Sequence, residues 1–521
     1  MKILKTLKKI IIIWINFTKS IKNANQYRSR DYIEYKPNSV PIAYDVDVLV
    51  VGAGVSGLAA AISSGRSGVK TLLIEKQSIV GGLVTGGWVT PFSMQMMLEN
   101  GELITRGLVE ELFDRISDMG GTVENWRDWK IPKLQIDPEI FKYVVIDMLK
   151  NAGVKVILNT PLLDVIQQNK FISEVIIHNK AGFQAIRAKQ FIDCSGEADL
   201  ARLCGVPCTL NADVDPTLIK VVNQALKNKG WVKGTEKTAS LQFVIGNVNF
   251  DKTHDFIIEN PDHYASTKRG NLIEDVELFS YLWKKQGFFY LPHETSFKEL
   301  IKSEVTKGDM SFEIGKYKLI EESGLGMDGL RSSKSVVVNA NRIMLNPFNE
   351  EDVSNAMNDG QEVCFEIWKF LQNTIPGFEN SSITAVASYM GIRRGAQIIG
   401  DHVYTAEERM ECLQYKDSIG MASRKTEKPY EVPFSLMLPI GVDNLLVASG
   451  KTVSTDDFLP YRTKPTCMIL GQAAGAASAL CIKDLKNLNP RDLDIRDLQK
   501  SLIKDGVYLG DADRLKELNL L

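Results

Sequence analysis

The sequence predicts an α/β protein: a mainly parallel sheet with helices on its faces, interrupted by an inserted α+β segment. Three observations predict it. A β-branched run, Val46 to Val51, meets a glycine turn and then a helix of small residues. A second apolar strand ends in another glycine turn at Asp193–Gly196, and a third strand and an alanine-rich helix lie between Asn444 and Leu480. Between these units, residues 210–380 carry a different pattern, with short β runs alternating with charged segments.

The first unit is the most specific. Val46, Val48, Leu49, Val50 and Val51 suit a strand buried on both faces. Gly52, Gly54 and Gly57 follow in G-x-G-x-x-G spacing. Gly52 permits the tight turn, Gly54 lets a pyrophosphate reach the backbone, and Gly57 lets the helix pack close on the sheet. The helix N-terminus, from Val55 and Ser56, directs free N–H groups at phosphates. A second strand, Thr71 to Ile74, ends in Glu75, where a carboxylate accepts hydrogen bonds from ribose hydroxyls. Strand, glycines, helix, strand and acid in this order predict a Rossmann-like dinucleotide site. An acid at 75 disfavours a 2′-phosphate, which leaves FAD and NAD open.

Composition excludes other classes. The chain has 521 residues, with 62 Lys+Arg against 64 Asp+Glu, so no charge bias toward nucleic acid. Seven scattered cysteines form no C-x-x-C, which argues against a zinc ribbon or iron–sulfur cluster and for free thiols in the reducing cytoplasm. Residues 1–44 form a basic N-terminal extension whose first thirty residues hold eight Lys/Arg and no acid. Its apolar core, Ile10 to Ile15, is far short of the roughly 20 residues a membrane span needs. A targeting segment, an amphipathic helix making peripheral membrane contact through residues 1–30, and a disordered tail are the readings of it.

Along the chain, Gly81, Gly82, Gly86 and Gly87 crowd an apolar loop just after the second strand. Helices are expected over 102–120 and from Asp137, where Pro138 takes the first helical position. Val154 to Leu158 reads as a strand, and Ile172–Ile177 with Phe183–Ala188 as a hairpin; Gln190–Asp193 reads as a further strand before Cys194-Ser195-Gly196. In the insert, helices are expected near 272–286 and 352–373, the latter closed by Pro376-Gly377. Beyond it, Ala396 to Ile399 reads as a short helix and Pro433 to Pro439 as extended. Leu445–Ala448 reads as a buried strand ending at Ser449-Gly450, and a helix is expected to open near Gly471.

The C-terminal strand, Arg462 and the run GQAAGAASAL resemble the closing signature of FAD-dependent oxidoreductases. The dinucleotide fingerprint, GGLVTGG, Cys194-Ser195-Gly196 with Ala198-Asp199-Leu200, Pro376-Gly377-Phe378, and Gly391 with Arg393 fall in the order of two-domain flavoproteins distantly related to fumarate reductase flavoprotein subunits. The resemblance covers roughly residues 45–210 and 375–482. It implies a glutathione-reductase-like FAD-binding domain formed by residues 45–209 and 381–521, with residues 210–380 as an inserted α+β cap or substrate domain. It also implies non-covalent FAD held by Gly52, Gly54, Val55, Ser56, Gly57, Glu75, Lys76, Gly81, Gly82, Leu83, Thr85, Leu162, Ser195, Gly196, Gly450, Gly471, Gln472, Ala473 and Ala474, with substrate between domain and cap. Departures from the family pattern occur at Arg394, Ala396 and Gln397, where an acid and a basic pair are usual.

Five histidines are present and none lies near the glycine loop at 81–87, so a histidyl-linked flavin is not expected. Three residues are catalytic candidates. Arg393, in a glycine-bounded turn, has the geometry to clamp a carboxylate. Arg462 lies between Pro460 and Pro465 in a segment expected to be extended and rigid. His402, beyond the Arg393 motif, is the acid–base candidate. The expected function is an FAD-dependent oxidoreductase passing a hydride between the cofactor and a small organic substrate, a carboxylate-bearing one among the candidates, with an unidentified electron donor or acceptor and no nucleic acid partner. A membrane-surface electron-transfer flavoprotein with a quinone or lipid partner, and a non-catalytic flavin-stabilised binding protein, are the alternatives.

Overall fold

The computed structural model describes residues 39–93, 96–98, 100–128, 133–209, 238–264, 272–292, 296–307, 324–340, 343–423, 428–483 and 489–521. Residues 1–30, the expected membrane contact, lie outside them. The central sheet has seven strands. Its parallel part runs Lys155–Ile157, Thr71–Ile74, Ile42–Val51, Gly182–Asp193. On the far side of Gly182–Asp193 lie the antiparallel strands Phe171–Asn179 and Leu162–Gln168, and the parallel strand Leu445–Val447. The hairpin strand and the strand before Cys194 are one continuous strand of 12 residues. Its first part pairs with the hairpin, and its last residues, Phe191 to Asp193, pair with Leu445 to Val447. Val51, Ile74, Asp193 and Val447 therefore end together, at the edge where open α/β sheets bind ligands.

Two helices cover this edge. The glycine-turn helix, Val55–Arg66, is buried over nine of its 12 residues. The C-terminal helix, Lys464–Lys483, is longer and buried almost throughout. It is long and apolar enough to cross a membrane, but 94% of its apolar window is inside the protein, so it is a core helix. The two cross with backbones nearly touching. A Cβ at Gly471 would lie 2.1 Å from the Ser56 carbonyl oxygen, and one at Gly475 would lie 2.2 Å from that of Ala60. A Cβ at Gly471 would also lie 3.1 Å from the Ala59 Cβ, and one at Gly475 2.9 Å from the Ser63 Cβ.

The insert folds on its own core. Five antiparallel strands run in the order Phe288–Leu291, Gly326–Leu330, Ser335–Asn339, Phe243–Gly246, Ser382–Val386, the last of them beyond the expected boundary at residue 380. The helices Phe250–Glu259, Leu272–Gln286 and Glu350–Thr374 pack there; Phe243, Phe279, Phe289, Ile367 and Leu371 are buried in that core. Asn349 caps the last helix, its side chain accepting from Glu351 and Asp352 N–H.

Three local expectations fail. The segment read as a helix over 396–399 contains a strand, Gln397–Ile398, paired with Cys208–Thr209. So short a segment is decided by its partners: the buried Gln397 amide donates to the Thr455 carbonyl, and its strand pairs with Cys208–Thr209. Phe434–Met437 is a 3-10 turn rather than extended chain. The third failure matters most. The Arg462 segment is not extended: Phe458–Tyr461 is helical, and the C-terminal helix opens at Lys464, not near Gly471. Pro465 misled the reading, because proline is tolerated in the first turn, where its missing N–H would be unbonded anyway.

Gly475→Val should lower stability by about 1–3 kcal/mol or more, because a branched side chain there meets backbone that has no room to move. Urea unfolding followed by circular dichroism reads it; a midpoint equal to the parent protein's would contradict the helix–helix contact.

Candidate cofactor and substrate site

The glycine turn has the form of a phosphate cradle. Gly52 has φ +96°, and a Cβ on it would lie 2.6 Å from the Cys194 carbonyl oxygen. A Cβ on Gly57 would lie 1.8 Å from the Gly52 carbonyl oxygen, so helix and turn interlock. Gly54 differs: a Cβ there would meet nothing within 4 Å. It opens the helix Val55–Arg66, whose first turn holds no acid and whose N-cap has no side-chain hydrogen bond. Free N–H groups thus face open space, as an anion site needs.

Glu75 closes the cradle. It is 7% exposed, and its carboxylate accepts from Ala53 N at 2.6 Å and from Gln77 N at 2.8 Å. The acid therefore holds the glycine turn in shape as well as being placed for a ribose. Gly81 donates its N–H to the Ala53 carbonyl, and a Cβ on Gly82 would come 2.8 Å from Gly54 Cα. The loop of Gly81, Gly82 and Leu83 is thus folded against the first glycine turn. The Thr85 hydroxyl donates to the Val80 carbonyl at 2.7 Å and ties the loop to itself. Trp88, at φ 52° in the same loop, packs on the core of the inserted domain. A bulky side chain in the left-handed region is held there by its surroundings.

The remaining predicted residues divide. Gly196 follows the Asp193 strand end beside Lys451. Ser195 donates both its N–H and its hydroxyl to Asp193, and its oxygen accepts from Asp199 N, so its hydroxyl caps the next helix. A Cβ at Gly450 would lie 1.8 Å from the Tyr461 carbonyl oxygen, so this turn presses on the chain entering the C-terminal helix. Leu162 starts a strand two residues beyond Thr160, whose N–H donates to the Glu75 carbonyl. Lys76 is exposed, 4.0 Å from Asp199. Gly471, Gln472, Ala473 and Ala474 lie inside the C-terminal helix and join it to its neighbours. The Gln472 carboxamide oxygen accepts from Leu108 N and its carbonyl from the Ser63 hydroxyl. They set the spacing of the site; its helix end is Lys464 to Cys467.

His402 is not brought to the cradle. Its ring lies 3.2 Å from Glu408 and against Tyr404 and Tyr415, and Glu408 belongs to the capping box of the helix Ala406–Met410. Its described neighbours are this capping acid and two tyrosine rings, none of them part of the cradle. Arg393 donates to the Ser240 hydroxyl at 2.7 Å, joining the segment after the insert to the insert's first residues.

A cationic cluster missed in the sequence lies where the two cores meet. Lys464 donates its ammonium to the Pro91 carbonyl at 2.6 Å and sits 5.1 Å from the Phe92 ring centre. Lys133 pairs with Asp328 of the insert at 2.7 Å and lies over the Tyr290 ring. Burial pushes the Lys464 ammonium down to about 7; Cys467 and Asp328 act against the shift, Lys133 and Arg462 with it. Burial also raises the fully enclosed Asp328 carboxyl, against the pull of Lys133. Cys467, one turn on from Lys464, has the Gly450 backbone and the Ser56 side chain as hydrogen-bond neighbours, which links the cluster to the cradle. Lys451 joins the same region, donating to Glu197 at 2.8 Å and to the Ile392 carbonyl. Nothing in the local sequence marks Lys133 or Asp328. Lys464 stands two residues past Arg462 and was hidden by the expected extended segment.

The profile of FAD dependent oxidoreductases matches residues 47–502. The chain belongs to the FAD dependent oxidoreductase family. It is an enzyme, and its cofactor is FAD. The cradle fits: open space before Gly54, a helix N-terminus without an acid, and a buried glutamate at the end of the second strand. Thiamine thiazole synthase of Methanococcus vannielii is 29% identical over 167 residues, 29% of this chain and 56% of that one. Its counterpart in Methanococcus aeolicus is 30% identical over 32% of this chain and 59% of that one, so the chain spans a little over half the length of these relatives. A fumarate reductase of Shewanella frigidimarina is 53% identical over 45 residues, 8% of each chain. Among solved structures, a geranylgeranyl bacteriochlorophyll reductase-like protein of Thermoplasma acidophilum aligns over 91% of this chain and 87% of its own, at 13% identity and a TM-score of 0.40.

Gly54→Val should fold normally, since its Cβ meets no protein atom, yet purify without flavin, since the side chain takes the pyrophosphate's space. The flavin absorbance of the purified variant, beside its melting temperature, is the measurement. Glu75→Ala should weaken FAD by about 1.5–3 kcal/mol, the worth of hydrogen bonds to a charged group, together with some loosening of the Ala53 turn. Fluorescence titration of the apoprotein with FAD reads this directly.

Proposed function

We propose that this enzyme transfers a hydride between bound FAD and a small organic substrate bearing a carboxylate, held at the junction of the two cores. The observation that carries the reading is the charge there. Lys133 and Lys464 both act on the buried acid Asp328, Arg462 lies close enough to Lys464 to act on its charge, and Arg393 lies at the same seam between the segment after the insert and Ser240. Several cations collected in a poorly hydrated site favour an anionic ligand, because like charges held close in low dielectric repel and an anion among them relieves that repulsion.

FAD supplies the two-electron chemistry when bound; the chain supplies binding, orientation and charge. In this reading Arg393 and Arg462 grip the carboxylate, Arg393 aimed by Ser240. Lys133, fixed by Asp328 from the inserted domain, closes the site by joining the two parts. The apolar loop around Trp88 and Val89 excludes water, which strengthens every charge interaction inside.

Arg462→Gln should retain FAD and a folded inserted domain, but reduce the bound cofactor about 100-fold more slowly with substrate, as loss of one charge-stabilising donor does. Anaerobic stopped-flow reduction with a panel of 2-hydroxy, 2-amino and dicarboxylic acids tests both statements. Reduction by none of the panel in the parent enzyme would remove the carboxylate reading; an Arg462→Gln variant that keeps its rate would remove the arginine from it.

A further inference from the structure

Resting on that reading, we infer that Lys464 is the proton-transfer residue of the reaction, in place of the histidine expected from the sequence. A hydride leaves or enters as one half of the chemistry; a proton must leave or enter at the neighbouring atom. The group that handles it must sit in the same enclosure and exist in both protonation states near neutral pH.

Lys464 meets these conditions by position. It opens the C-terminal helix, one turn from Cys467 and so from the Ser56 and Gly450 side of the cradle. Its ammonium has a neutral acceptor, the Pro91 carbonyl at 2.6 Å, rather than a carboxylate. The acid that could have neutralised it, Asp328, is held by Lys133 at 2.7 Å. The charged and titratable groups that act on it are Lys133, from the strand Lys133–Leu134; Asp328, from the insert; Arg462, just before its helix; and Cys467, within it. Burial and two like charges disfavour the ammonium form, and Cys467 and the shared acid Asp328 do not offset them. The lysine is accordingly pushed down to about 7, where it gains or loses a proton readily. Arg462 and Arg393 cannot do this, since a guanidinium stays charged in proteins.

The step balances as follows. In the oxidative direction, a substrate C–H bond breaks and its electron pair passes with the hydrogen to oxidised FAD. The proton on the adjacent oxygen, nitrogen or carbon passes to the neutral Lys464 amine, and a double bond forms between the two substrate atoms. Substrate loses two electrons, FAD gains two, and the ammonium returns its proton to solvent. Because the amine must be neutral to accept the proton, the oxidative rate should rise with pH through about 7.

Two measurements test this on the FAD-loaded enzyme. Metabolic labelling with ε-carbon-13 lysine and NMR titration from pH 5 to 10 should show one lysine with a midpoint near 7, absent from Lys464→Arg. A Lys464 signal titrating with surface lysines, near about 10.4, would overturn the inference. In anaerobic reduction by the carboxylate panel, Lys464→Met and Lys464→Arg should both be slowed by about 100-fold or more, and both should lose the rise through pH 7. Arginine restores the charge but not the titration, so a rate rescued in Lys464→Arg would make the lysine only a charge and overturn the proposal. If the parent enzyme is reduced by none of the panel, the hydride reading falls and this one with it. If the parent enzyme is reduced and both variants keep its rate and pH profile, only the lysine assignment falls.

Discussion

The contact on which the site depends is the crossing of two helices at glycine. Gly471 and Gly475 let the C-terminal helix meet the carbonyls of Ser56 and Ala60 with no side chain between. Close crossing makes both helices buried walls of one layer and brings their N-terminal ends together at the sheet edge where Val51, Asp193 and Val447 finish. One end presents the open space before Gly54, which suits a pyrophosphate. The other presents Lys464 toward Pro91 and the insert. A larger residue at either glycine would push the two ends apart, and a site of this kind tolerates little misplacement.

The junction has a different energetic character. The crossing helices are apolar and close-packed, which favours the folded state. Lys133, Asp328 and Lys464 bury charge, which does not, since desolvation takes back most of what an ion pair gains. Such groups support a fold less than apolar packing does, which sets this seam apart from the helix crossing. The seam is also where the two cores exchange contacts: Lys133 with Asp328, Arg393 with Ser240, and Trp88 with the insert's core.

Local chemistry by itself determined the cradle and the layer around it. Gly52, Gly54, Gly57 and Glu75 were legible because a strand, a turn, a helix start and a second strand follow within one short stretch, and each has its own residue signature. The insert's helices at Leu272–Gln286 and Glu350–Thr374 were legible for the same reason. The choice of FAD over NAD came from the resemblance of the C-terminal strand and alanine-rich helix to a flavoprotein signature. Tertiary structure alone decided the rest. Whether Pro465 breaks a helix or begins one depends on which residue is first, and that is set by packing against Tyr461 and Gly450. His402 was marked only by its place in the chain, and its neighbours turned out to be Glu408 and two tyrosine rings. Lys133 and Asp328 lie 195 residues apart, and Lys464 reaches Pro91 across 373. No local pattern carries a contact of that separation, because the charge felt by a buried lysine comes from whichever elements the fold packs around it.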